Sequence, residues 1–308
     1  MQTFDRLKIV ADITAIRITD ERVFTKSIRE DTVISMKYYQ STPCMLMVKV
    51  DYENGEVVVE FTGKILGHKY PQLISITNIE DCFQGIESLG FCMFDMDMIM
   101  DSTVVSCDVT KDIQSDDVRK IQAYIKSHIS NYDKYVCRAL KNGNVVLEKN
   151  VTTRRIRKRL TIYDKGKEMN KADNIKFMKT NGLSNEYNGK CRFEMNLTTQ
   201  EQIRNTLHIE DTKLKSVLSS TNNPIVDFLN EAVGQTKETI SCSEWKSYQR
   251  YLVLKDCDFD LAKVEAKVRS LYKRGTKIAD VMKPYRDAYD SLCFVKDDFF
   301  SGLIRQLN

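Results

Sequence analysis

Five basic side chains, Arg154, Arg155, Arg157, Lys158 and Arg159, lead into Tyr163, and Lys165 and Glu168 follow within one or two helical turns. Guanidinium and ammonium groups hold phosphate. A tyrosine hydroxyl can attack a phosphodiester, and a glutamate can hold the divalent metal that such an attack uses. A free phenol titrates near 10, so making phenolate at pH 7 costs about 4 kcal/mol. A metal on the phosphate, or a cation such as Lys165, lowers that barrier. One short segment thus holds the parts of a DNA-nicking site. The plainer reading of its basic run is a solvated stretch of surface.

These parts need elements to position them, and period-two alternation supplies strands. Val57, Val59 and Phe61 share one face and Glu60 takes the other. Val105, Cys107 and Val109 form an apolar face opposite Ser106, Asp108 and Thr110. Cys191, Phe193 and Met195 oppose Arg192, Glu194 and Asn196. Arg157, Arg159, Thr161 and Tyr163 lie together. In one sheet, these strands bring Glu60, Asp108, Glu194 and Tyr163 onto one open side, with helices on the other. Carboxylates at Asp108, Glu194, Glu60 and Glu168 suit Mg²⁺ or Mn²⁺. His68, after Gly67, follows the Glu60 strand and could offer an imidazole to Mn²⁺, although a lone histidine is more often structural or solvent-exposed than a ligand. Taken singly, each carboxylate reads as a solvent-facing residue of a half-buried strand.

Strands are expected over 4–18, 44–52, 55–62, 103–110, 135–140, 145–147, 155–163 and 191–197. Asn54-Gly55 and Asn142-Gly143 mark hairpins. A helix capped at Ser115-Asp116-Asp117 should run over 118–130, and another over about 165–179. After Thr199 the pattern turns helical, with helices over 225–233, 243–254, 261–274 and 278–292. The expected fold class is α+β, a mainly antiparallel sheet with helices on one face, followed by a helical C-terminal region. The expected domains are 1–198, carrying the chemistry, and 199–308, a helical accessory region. Residues 261–292 read either as a helix-turn-helix with Gly275 in its turn or as helices packed on the sheet, the second being preferred.

The 308 residues are 42% apolar, too many for a disordered chain. Net charge is only +4, but 153–179 is basic and 80–117 acidic, as one polyanion-binding face would require. Nine cysteines show no CxxC and no metal-ligand spacing, so buried free thiols and a reducing cytoplasm are expected. No apolar run approaches the roughly 20 residues of a membrane span, and the start of the chain carries no secretory or lipidation signal. GxxxxGK[ST], a post-strand GxGxxG and HExxH are absent, and no two of the three histidines are close.

The sequence resembles the filamentous-phage gene II replication proteins and the related phage and plasmid rolling-circle initiators. An ordered series of motifs over about 50–200 carries the resemblance. It comprises Val59-Glu60-Phe61 with Leu66-Gly67-His68-Lys69, then Val104 to Thr110, then Tyr163-Asp164-Lys165-Gly166-Lys167-Glu168, then Cys191-Arg192-Phe193-Glu194. At Cys107 a thiol replaces the family's usual arginine. The resemblance implies an enzyme that nicks one DNA strand at an origin, stays linked to its 5′ end through a tyrosine, and later rejoins it. It puts the nucleophile at Tyr163, with Lys165 beside it. Asp108 and Glu194, then Glu168, His68 and Glu60, become the metal candidates for Mg²⁺ or Mn²⁺. Arg154, Arg155, Arg157, Lys158, Arg159 and Arg192 become DNA contacts. Tyr135 and Tyr187 stay open as alternative nucleophiles. The expected partners are single-stranded or supercoiled origin DNA and a host helicase, with a homodimer allowed, in the cytoplasm of a bacterial host. The rival reading is a DNA-binding protein that recognises an origin without cutting it. A third is a structural α+β protein whose basic run meets acidic partners.

Overall fold

Alternating strands are realised in a computed structural model of the chain, which describes residues 2–115, 117–129, 134–151, 158–233, 244–272, 277–291 and 298–308. Two compact units form: Met1–Asp116 with Thr153–Ile225, and Asp117–Thr152 with Val226–Asn308.

The first unit is built on antiparallel strands. β1 (Phe4–Asp12) is followed by β2 (Ile16–Ile18), β3 (Thr25–Arg29), β4 (Thr32–Gln40), β5 (Leu46–Asp51) and β6 (Glu56–Thr62). Later come β7 (Cys92–Phe94), the short helix α2 (Met96–Met100) and β8 (Thr103–Gln114). In this unit the sheet order is β3-β4-β5-β6-β1-β8, continued first by a strand from 190–197 and then by one from 159–164. β1 is therefore central although it comes first, and it pairs with β6 and β8. The β5–β6 hairpin closes through Gly55 at φ +65°, a left-handed conformation that glycine adopts freely. Leu7, Ile9, Val48, Val57, Val59 and Phe61 are buried on the apolar face. Helix α1 (Ile79–Glu87) covers that face through Phe83, whose ring packs edge-on against Phe61.

Three expectations shift by local causes. The strand expected over 4–18 stops at Asp12, whose carboxylate accepts from the Thr14 N–H and starts a turn of 3₁₀ helix. Val104, not Val105, is buried, because a register shift separates Lys8↔Ser106 from Ile9↔Val104 and breaks the alternation. The helix expected over 165–179 divides at Asn170–Lys171, where Lys171 is extended, at φ −71° and ψ 151°. Seven cysteines are described, all free thiols and six of them buried.

The second unit joins helices to a hairpin. The hairpin is β9 (Tyr135–Ala139) with β10 (Val145–Lys149), in register Leu147↔Cys137. Between Asp117 and that hairpin lies α3 (Val118–Ser127), whose first turn is capped by the Asp117 side chain accepting from Lys120 N. Helices Trp245–Asp256, Leu261–Leu271 and Ile278–Ser291 share a core of Leu254, Leu261, Val264, Val268, Met282 and Tyr289. Gly275 lies outside the described residues. Among those residues, no helix is long and apolar enough to cross a membrane.

Candidate active site

β11 (Arg159–Asp164) and β12 (Lys190–Leu197) complete the sheet of the first unit, with Thr161 opposite Glu194 and Tyr163 opposite Arg192. β12 also pairs with β8, placing Asn196 opposite Asp108. Since directly paired residues share a face, the polar faces of β6, β1, β8, β12 and β11 merge. Glu60, Asp108, Glu194 and Tyr163 all lie on it.

Tyr163 donates its hydroxyl hydrogen bond to Glu194 Oε2 at 2.9 Å. The ring is 9% exposed. Burial, then the Glu194 charge, push the phenol well above its ordinary range. Burial, then the charges of Asp5 and Asp108, push Glu194 up to about 7. A carboxylate poised there and bonded to a phenol is arranged to accept its proton.

Arg6, on β1, is a residue that the sequence did not single out. Its Nε and Nη2 grip Asp108 at 2.9 and 3.1 Å, Nη1 reaches Glu60 at 2.8 Å, and Nη2 also reaches Ser106 at 2.9 Å. Asn196 donates to Asp108 from the other side. Lys8 lies 3.3 Å from Glu60. The signal available was the alternation of Arg6 and Lys8 on a strand whose partner carries Glu60.

Helices α4 (Lys165–Met169) and α5 (Ala172–Thr180), with the 3₁₀ segment Gly63–Gln72, close one end of this polar face. Asp164 caps α4 by accepting from Lys167 N. Glycine follows Lys165 because a β-carbon at Gly166 would meet the Tyr187 carbonyl at 2.7 Å. Lys165 is buried, 2.5 Å from Glu168, and its ammonium lies over the rings of Tyr70, Tyr163 and Tyr187 at 5.4, 5.8 and 5.9 Å. Burial disfavours the Glu168 charge, yet Lys165, backed by Lys64, holds that carboxyl below its usual range.

Arg192, expected on DNA, is instead fully buried. Its two-pronged bond to Asp112 (2.6 and 2.7 Å) and its 2.9 Å contact with Asp5 consume its charge inside the fold. Of the basic run, Arg154, Arg155 and Arg157 lie outside the described residues. Lys158 is half-buried just before β11, and Arg159 is exposed at its start. His68 is exposed on the 3₁₀ segment. Tyr187 is buried against Tyr70, and Tyr135 is buried in the second unit against Phe228.

A divalent metal needs several converging oxygen or imidazole donors with free lone pairs. Among the described residues, no group of three or more His, Cys, Asp or Glu side chains is arranged to hold one. Asp108 and Glu60 are engaged by Arg6, and Glu168 by Lys165. As arranged, the expected ligand set does not fit a metal, and no step below runs through one. Arg6 and a metal would compete for the same oxygens. An Arg6→Gln protein is therefore expected to bind Mn²⁺ at least about tenfold more tightly in calorimetric titration. Equal affinities would contradict that competition.

Residues 75–215, a little under half of the chain, match the family of replication-associated proteins of the gene II product type, over that family's N-terminal region. The matched stretch contains Asp108, Tyr163, Lys165, Glu168, Arg192 and Glu194, while Arg6, Glu60 and His68 precede it. No curated protein and no solved structure matches the chain.

Proposed function

Because the chain belongs, over residues 75–215, to the filamentous-phage gene II family of replication-associated proteins, we propose that it nicks one DNA strand with Tyr163 and later rejoins it. The observation that carries this reading is the Tyr163–Glu194 hydrogen bond inside the matched stretch. In the forward step the Tyr163 proton passes to Glu194 and the phenolic oxygen bonds to phosphorus. The bond from phosphorus to the 3′ oxygen breaks, and that oxygen takes a proton from solvent. A later 3′ hydroxyl gives its proton to solvent and attacks the phosphotyrosine, the bond from phosphorus to the Tyr163 oxygen breaks, and Glu194 returns the proton to Tyr163. Lys165, with its ammonium 5.8 Å from the centre of the Tyr163 ring, brings positive charge to the pocket. Origin DNA, single-stranded or supercoiled, is the proposed substrate.

A covalent-adduct assay on labelled single-stranded DNA tests the reading. Wild type should form an adduct that survives denaturing gel electrophoresis, and Tyr163→Phe should form none. An adduct formed by Tyr163→Phe at the wild-type level would overturn the assignment. Mg²⁺, Mn²⁺ or a chelator added to the same assay reads the metal requirement that the resemblance leads one to expect. The reading as a binder that does not cut draws on the deep burial of Tyr163. It expects DNA binding with no adduct under any metal condition.

A further inference from the structure

The polar face does not end at Glu60. Glu60 lies opposite Met47 on β5, and Met47 lies opposite Tyr39 on β4. Tyr39 is 60% exposed, on the same face as Arg6 and Lys8. Lys37, two residues earlier on that face, rests its ammonium 5.4 Å from the Tyr39 ring centroid. Lys37 also lies directly opposite Lys49. Like charges facing each other across two strands destabilise a sheet. Asp51 partly offsets Lys49 at 2.9 Å, while Lys37 makes no ion pair with a described residue. An exposed aromatic ring with one ammonium group beside it, and a second lysine opposite that one on the next strand, matches a polyanion that also offers flat rings. Single-stranded nucleic acid has both, with bases to stack on aromatic side chains and phosphates to meet cations.

We propose that the open face of β4, β5, β6 and β1 carries the single-stranded DNA that runs to Tyr163, with Tyr39 stacking a base and Lys37 and Lys49 meeting phosphates. From β11 to β4 the face spans six inter-strand steps, about 29 Å at a spacing of ~4.8 Å. That length takes about eight nucleotides at the ~3.4 Å stacked rise per strand. The surface lies outside the family-matched stretch. The proposal rests on the nicking reading only for what stands at the Tyr163 end.

The test is fluorescence anisotropy of a labelled single-stranded oligonucleotide, in a Tyr163→Phe background so that binding is read without chemistry. Adding Tyr39→Ala should weaken binding about 5- to 150-fold, and Tyr39→Phe should restore it, since the ring rather than the hydroxyl is used. Lys37→Ala with Lys49→Ala should make the dependence of log affinity on log salt shallower by about 1.4. Both positions are on the surface, so a folded protein is expected. Unchanged single-strand affinity in these variants overturns the proposal. So does a loss confined to duplex DNA, which would assign the face to double strands. The adduct assay separates the two readings. Adduct formation with unaltered binding in the Tyr39 and lysine variants overturns this surface alone. The expected binding losses with no adduct from wild type overturn the Tyr163 assignment alone.

Discussion

Arg192→Ala is expected to cost roughly 3–5 kcal/mol of folding stability, the usual penalty for breaking a buried ion pair from one side. The guanidinium is fully buried. Its two-pronged contact with Asp112 and its contact with Asp5 satisfy two carboxylates that water does not reach freely. The Tyr70 hydroxyl, 3.2 Å from Nη1, donates to Asp5 and ties the Gly63–Gln72 segment to the same group. Alanine would leave Asp5 and Asp112 charged and unpaired, and would remove the anchor beneath Tyr70. Urea denaturation of the full chain gives the number. A loss below about 1 kcal/mol would mean that water or rearranged side chains replace the network.

Glu194→Gln should lower adduct formation by about 10²- to 10⁴-fold, the range of a lost general base. The neutral amide can hold the Tyr163 hydroxyl but cannot take its proton. The pH profile gives the sign. As the proposed base, Glu194, raised to about 7 by burial and by Asp5 and Asp108, is expected to be protonated and idle below that pH and able to take the proton above it. The wild-type rate should climb about tenfold per pH unit up to about 7 and then level. Glu194→Gln should lose that step. Stability runs the other way. The folded state holds its proton on Glu194 to higher pH than the unfolded chain does, so stability falls as pH rises from the ordinary carboxylate range through about 7. Above pH 7 the Glu194→Gln protein should be the more stable and the less active of the two. A wild-type profile without an inflection near 7, or an unimpaired Glu194→Gln enzyme, would remove Glu194 from the proton path.

Much of the sheet was legible because half-buried strands write their faces into alternate residues. Val57, Val59 and Phe61, and Cys191, Phe193 and Met195, are buried as the alternation predicts. The alternation failed at Val104 and Val105, where a register shift changes the face without changing residue type. The meeting of Tyr163 with Glu194 followed from parity once both strands lay in one sheet. The role of Arg6 did not. An arginine on a charged, alternating strand looks solvated until topology inserts that first strand between β6 and β8. At Cys107, where the resemblance expects arginine, a fully buried thiol packs into the core, and Arg6 from the neighbouring strand supplies a guanidinium beside Asp108. Arg192 misled for the converse reason. Polar-face parity places a side chain on one side of a sheet but does not say whether a helix later covers it, as α4 and the Gly63–Gln72 segment cover this one.

The central proposal is that Tyr163 forms the covalent bond to DNA. The most direct measurement is mass spectrometry of the protein after reaction with a short single-stranded oligonucleotide, nuclease trimming and proteolysis. The expected result is a nucleotide mass on the peptide that contains Tyr163 and on no other. A nucleotide on the peptide of Tyr187 or Tyr135, with Tyr163 unmodified, would contradict it.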